Sequence, residues 1–179
     1  MAKIKRISVE TITYKDANMS EEEFPAYFEE GNGFVKLDEK NSEKFISNKN
    51  AYIQKLEALK EEMHSEIDKL ENKNIVTFHE AFYYFAEEFN LNVVAVIERE
   101  PGTSPSAGEL ADIIDKIKNT NAKAIFVEPQ YSRSIADTIS NETGVQVYTL
   151  DPVVTGKLDN DAYINIMKSN LNNLLEALK

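Results

Sequence analysis

Asn74-Ile75-Val76-Thr77-Phe78-His79-Glu80-Ala81-Phe82-Tyr83-Tyr84-Phe85-Ala86 changes rhythm halfway along. Its first part, Ile75–Phe78, is a short unbroken apolar run and predicts a buried strand. From there the apolar residues fall at helical spacing, with Phe82, Phe85, Ala86 and Phe89 on one face. His79 stands at the junction. Strand followed at once by helix is the repeating unit of a parallel α/β sheet, in which ligands bind at the carboxyl ends of the strands. A neutral imidazole there is available as a metal ligand or a base, although a histidine that only hydrogen-bonds nearby backbone would occupy the same position.

The same alternation continues to the end of the chain. Asn92–Glu98 predicts a second strand and Ser106 to Asn119 a helix, after a loop from Arg99 to Pro105. Ala122–Val127 predicts a third strand, and Ser132–Thr143 a helix stopped by Gly144. Val145–Leu150 predicts a fourth strand and Asn160–Leu178 a last helix with Ile164, Met167, Leu171, Leu174 and Leu178 facing inward. Strands that are apolar throughout are covered on both faces, and strands alternating with helices of this length form parallel sheets. The expected fold class is α/β, a four-stranded parallel sheet with helices on both faces, over residues 74–179.

Upstream, Phe45, Tyr52, Leu56, Leu59, Met63, Ile67 and Leu70 recur every three, four or seven residues, predicting one long amphipathic helix over 38–71, capped by Asp38 or Asn41. Its stripe suits either a coiled-coil seam or a helix laid on a domain, and predicts a homodimer or cover supplied by residues 1–36. His64 lies on this helix with no evident partner and is expected to be exposed. Residues 1–36 predict one imperfect strand and, from the Ser20-x-x-Glu23 capping box, a short helix. The expected organisation is therefore an amino-terminal appendage over 1–36, a linking helix over 37–73 and the α/β lobe over 74–179.

Composition narrows the function. The 179 residues carry a formal net charge of −11, and no basic patch stands out to neutralise phosphates, which argues against nucleic-acid binding. With no cysteine, disulfides, thiolate metal sites and cysteine nucleophiles are excluded. No apolar run approaches the roughly 20 residues of a membrane span, so no membrane insertion is expected. The opening Met1-Ala2-Lys3-Ile4-Lys5-Arg6 is not followed by an apolar signal region, and no export signal is expected in the chain as given. Gly-rich phosphate loops and nucleophile elbows are absent from the sequence.

Three strand ends carry candidate ligands: His79, Glu128 and Asp151. In a parallel sheet all three share one rim. Imidazole with carboxylate suits zinc, or manganese where oxygen ligands dominate. Asp151 before Pro152 also suits a turn cap, and Glu128 before Pro129 also suits the following helix N-terminus.

Thr77-Phe78-His79-Glu80-Ala81-Phe82-x-Tyr84-Phe85-Ala86, Glu100-Pro101-x-x-x-Pro105-Ser106, Phe126-Val127-Glu128-Pro129-Gln130, Ile135-Ala136, Glu142-Thr143-Gly144 and Leu150-Asp151-Pro152 occur in that order. Together they resemble the carboxyl-terminal lobe of the zinc/manganese solute-binding proteins of ABC transporters, the ZnuA/TroA-like family. Asn50-Ala51-Tyr52-Ile53-x-Lys55-Leu56-Glu57-Ala58-Leu59 resembles the end of that family's long linking helix. The likeness covers about residues 37–179, and its specificity lies in the ordered set of motifs.

The resemblance implies a metal-binding, non-enzymatic protein with a site between two lobes, to which this lobe supplies His79 and Asp151. Glu128 matches a family motif and is expected to be supporting or structural. The resemblance further implies an ABC permease as partner and an extracytoplasmic location, in the periplasm or at the cell surface. The family's amino-terminal lobe, with its histidine-rich loop, two ligands and Asp-Pro-His-x-Trp motif, has no counterpart in residues 1–36. The chain is thus expected to be half of a binding protein, whether a truncated product, an excised domain or a lobe with a replaced amino-terminal segment. With two protein ligands it is expected to hold zinc weakly. The alternative is a metal-free interaction module that dimerises or docks through the long helix.

Overall fold

A computed structural model describes residues 38–98, 104–154, 156 and 158–179. The strand and capping box expected within residues 1–36, and most of the loop after Glu98, lie outside the described residues. The chain divides into two compact units, Met1–Gln54 and Lys55–Lys179.

A 3-10 turn, Glu39–Asn41, leads into α1 (Ser42–Ile67), continuous for 26 residues. The Asp38 carboxylate accepts from the Asn41 side chain at 2.7 Å and makes no capping bond to backbone. In the first unit Phe45 and Tyr52 are half-buried while Ile46 and Ile53 are exposed. Within the second unit Leu59, Met63 and Ile67 are fully buried, four residues apart and so on one helical face. The helix stops before residue 71 because its last turn tightens: Leu70 N–H bonds Ile67 carbonyl, three residues back, not four.

The second unit contains the expected sheet. β1 (Asn74–Thr77), β2 (Asn92–Val96), β3 (Ala124–Val127) and β4 (Gln146–Thr149) are all parallel, in the order β2-β1-β3-β4. Between them run α2 (Tyr83–Glu88), α3 (Ala107–Thr120) and α4 (Ser134–Thr143), and α5 (Ala162–Leu178) closes the chain. Alternate residues of the strands face opposite sides. Val76, Phe78, Ala95, Ile97, Ile125 and Val127 pack with Ile113 and Ile117 of α3 and Ala136 and Ile139 of α4. Ile75, Thr77, Ala124 and Phe126 point the other way and are equally buried. Leu171, Leu174 and Leu178 are buried on α5, which lies against β4. The sheet is therefore covered on both faces, which is why its central strands carry no polar alternation.

Local chemistry sets the helix ends. Ser106 and Glu109 form a reciprocal capping box at the start of α3. Gly144 ends α4 with φ +77, a left-handed conformation that disfavours any side chain. The segment after His79 differs from the expected single helix: a 3-10 turn over Glu80–Phe82 precedes the short α2. That turn lets Phe82 enter the core while Tyr83 and Tyr84 remain exposed.

His64 also departs from expectation. It is half-buried, its Nε2 lies 3.0 Å from Glu88 and its Nδ1 3.1 Å from Asp68. Its ring also packs on Phe89 at 4.8 Å. Glu88 comes from α2, 24 residues away, so only the folding of α2 against α1 creates the pair. Of the exposed ion pairs, Lys60–Glu88 joins α1 to α2, whereas Lys55–Asp161 and Lys168–Glu62 join α1 to α5 and its cap; each contributes little individually.

Candidate metal centre

The inter-strand ladder outlasts the strands and fixes one rim. Phe78 donates to Phe126 carbonyl at 2.8 Å and accepts from Glu98 N–H at 2.7 Å; Leu150 donates to Val127 carbonyl at 3.2 Å. His79, Glu128 and Asp151 are each the next residue beyond those ladder positions. Across the strand order, the rim thus presents Glu98, His79, Glu128 and Asp151 in succession. The β1–β3 junction is also where the chain order reverses, since β2 lies on one side of β1 and β3 and β4 on the other. Such a switch point is where open α/β sheets leave a crevice for ligand.

His79 is half-buried in an extended conformation, φ −129 and ψ 166, and its side chain makes no capping bond to the turn that follows. The simple capping role is thereby excluded. Its ring lies against Tyr131, with centroids 5.8 Å apart and planes 28° from parallel; Tyr131 also touches Phe78 at 5.2 Å. Tyr131 is turned toward β1 by a bond from its N–H to Glu128 carbonyl at 3.1 Å. Sequence reasoning missed it, although it stands three residues beyond Glu128 and directly after the Glu128-Pro129-Gln130 motif.

Glu128 is 1% exposed, and among the described residues neither carboxylate oxygen has a hydrogen-bond partner. It does not cap α4, which starts at Ser134 behind Arg133. Burial pushes its carboxyl above the usual carboxylate range. Its own backbone amide and the His79 imidazole oppose that rise, whereas Glu98 adds to it. Glu98 is itself buried, at 7% exposure. Sequence reasoning counted three ligand-bearing strand ends and passed over this fourth.

Asp151 is held from two sides. Asn170 of α5, 2% exposed, donates from Nδ2 to Asp151 carbonyl at 2.8 Å and accepts from Asp151 N–H at 2.9 Å. The Asp151 Oδ1 accepts from Val153 N–H at 2.8 Å, so the turn-capping role is present. Val153 sits at φ +63, an outlier for a β-branched residue that costs on the order of 1–3 kcal/mol. That strained turn begins two residues after the β4 strand, where it fixes the direction in which the chain leaves the rim.

His79 and Asp151 end strands β1 and β4, two strand spacings or about 10 Å apart across the sheet, with Glu128 between them. Among the described residues no three His, Asp or Glu side chains are grouped closely enough to hold a metal ion. The donor set is an imidazole and carboxylates, which suits zinc or manganese. The orphaned carboxylate of Glu128 fits a cationic occupant of this rim. A separate groove of about 660 Å³, between β2 and α3, includes none of His79, Glu128 or Asp151. Among the described residues no helix is long and apolar enough to cross a membrane.

The family model for zinc-uptake complex component A, periplasmic (ZnuA), matches residues 31–177. The high-affinity zinc uptake system protein ZnuA of Bacillus subtilis is 35% identical over 148 residues, which is 80% of this chain and 46% of that protein. The manganese-binding lipoprotein MntA of Halalkalibacterium halodurans is 29% identical over 150 residues, 80% of this chain and 50% of that one. A solved structure of a mutant laminin-binding adhesin, Lmb, from Streptococcus agalactiae superposes with a TM-score of 0.75 at 32% identity, covering 83% of this chain and 56% of the other. The chain spans about half the length of the curated relatives it matches. Its sheet, its long leading helix and its ordered motifs agree with these matches, and the chain belongs to the ZnuA family of zinc/manganese ABC-transporter solute-binding proteins.

Proposed function

We propose that this chain is the metal-binding lobe of an ABC importer's solute-binding protein, with zinc or manganese as cargo and with His79 and Asp151 as its contribution to an interlobe site. The observation that carries this is the rim itself: an imidazole that makes no capping bond and a fixed aspartate on one edge of a parallel sheet, on either side of a buried carboxylate without a hydrogen-bond partner among the described residues. Zinc takes four ligands at about 2.0–2.2 Å from nitrogen and oxygen. Two donors from this chain leave the remaining positions to groups outside the lobe, so the chain alone binds weakly. Its relatives are named for uptake and metal binding, which supports a binding role, not a catalytic one. The family's description supports an extracytoplasmic setting, and an ABC permease is the corresponding partner. Residues 74–179 act as the lobe, 37–73 as the linking helix and 1–36 as an appendage.

Calorimetric titration of the full chain with zinc tests this reading. His79→Ala abolishes specific binding, Asp151→Ala weakens it and His64→Ala leaves it unchanged. Acid weakens binding, because only the neutral imidazole ligates metal. Zinc binding that survives His79→Ala would overturn the assignment.

A second reading is favoured by Ile46 and Ile53, seven residues apart on α1 and 41% and 42% exposed. In it the helix forms a homodimer or docks on a partner. Sedimentation of the full chain as a monomer, unaltered by Ile46→Glu and Ile53→Glu together, excludes the homodimer.

A further inference from the structure

The site reading above assigns ligands but no role to Glu128. We infer that Glu128 is a positioning residue for the cation site, its buried carboxylate supplying the counter-charge behind His79 that determines how tightly a divalent cation is held. This inference rests on the metal-site reading and deepens it. A buried carboxylate ordinarily has an ion-pair partner or several hydrogen-bond donors, because an unpaired charge in a low-dielectric interior is costly. Among the described residues Glu128 has neither: it is 1% exposed, both oxygens lack partners, and the helix that it would otherwise cap starts six residues later.

Its location supplies the explanation. His79 ends β1, flanked in strand order by Glu98 at the end of β2 and Glu128 at the end of β3, both buried acids. The imidazole attracts the Glu128 carboxylate and Glu98 repels it. A cation ligated by His79 is drawn toward Glu128 through the same poorly screened interior. Among the described residues no group of three acidic or histidine side chains closes around one point, so Glu128 acts from behind the ligand and not as a third ligand. A fixed negative charge near a ligating imidazole stabilises the bound cation without touching it, and loss of groups that support a metal ligand typically lowers metal affinity 10–100-fold.

The test uses the full chain and zinc alone, with affinity measured by competition against a chromophoric chelator. Glu128→Gln keeps the shape and removes the charge. It is expected to lower zinc affinity about tenfold or more and to shrink the rise in Tm that zinc produces, while the metal-free chain unfolds at the same or a higher temperature. A purely structural carboxylate would instead lower the metal-free Tm when neutralised and leave the zinc affinity unchanged. Glu128→Asp and Glu128→Asn repeat the comparison at a shorter length, and the charged variant is expected to bind more tightly than the neutral one even if Glu128→Gln fails to fold. Equal affinities within either charged–neutral pair would overturn the inference. His79→Ala, measured alongside, separates the two claims. If zinc binding survives that change, the metal-site reading fails. If His79→Ala abolishes binding while Glu128→Gln leaves it intact, only the role of Glu128 fails.

Discussion

Asn170→Leu is the sharpest probe of how α5 holds the rim. The asparagine is 2% exposed and bridges both backbone groups of Asp151, at 2.8 and 2.9 Å, while Asn173 one turn later donates to Thr149 carbonyl at 2.8 Å. Leucine shares the branched skeleton but is bulkier, so the change removes hydrogen bonds and opens no cavity, with crowding adding to the cost. It leaves the N–H and carbonyl of Asp151 without their partner, at roughly 1–3 kcal/mol for each group that stays dry. Asp151 is half-buried, so water satisfies part of that demand, and we expect a net loss of about 2–3 kcal/mol. For a unit of this size that lowers Tm by about 10 °C. Urea unfolding followed by far-ultraviolet circular dichroism measures it. The same substitution frees Asp151 from its anchor and weakens zinc binding while His79 remains in place. A variant as stable as the parent would show that the bridge contributes nothing net, and would refute the account of how Asp151 is positioned.

Two further outcomes are expected. The His64 pKa is raised, first by its hydrogen bond to Glu88, opposed by burial and assisted by Asp68; the bond between protonated His64 and its carboxylates therefore stabilises the fold fully below the ordinary imidazole range and is lost as pH rises through the folded value. The urea midpoint should fall between about pH 6 and about pH 8 by more in the parent than in His64→Gln, with Lys60, which also pairs with Glu88, present in both. Ser106→Ala removes the side-chain acceptor of the α3 capping box and should cost about 1 kcal/mol, read as a lower Tm without change in zinc affinity.

The sheet was legible because its strands are buried on both faces, and Ile75–Phe78, Val93–Ile97 and Ala124–Val127 therefore stand out as unbroken apolar runs between helical patterns. The helix stops at Asn121 and Gly144 follow from residues that tolerate positive φ. The shared rim of His79, Glu128 and Asp151 follows once the strands are parallel. Other features depend on contacts between distant residues. Glu88 reaches His64 only because α2 packs on α1, and Asn170, although its spacing from Met167 and Leu174 puts it on the inward face, gives no sign in the sequence that it bridges the Asp151 backbone. The isolation of Glu128 is a property of what does not surround it, and no pattern of neighbours along the chain encodes that.

Strand position gives the two proposed ligands unequal tenure. Among the described residues β1 pairs with a strand on both sides, whereas β4 pairs with the strand β3 alone and is otherwise tied down by Arg133 and Asn173 side chains on its Val147 and Thr149 carbonyls. Local opening is cheapest at an edge, so amide protons around β4 and Leu150 exchange before those of β1. An opening that also breaks the Asn170 bridge releases Asp151 while His79 stays seated. A cation at the proposed site would then depart donor by donor, carboxylate first and imidazole last, by a movement of β4 and its turn away from the last helix.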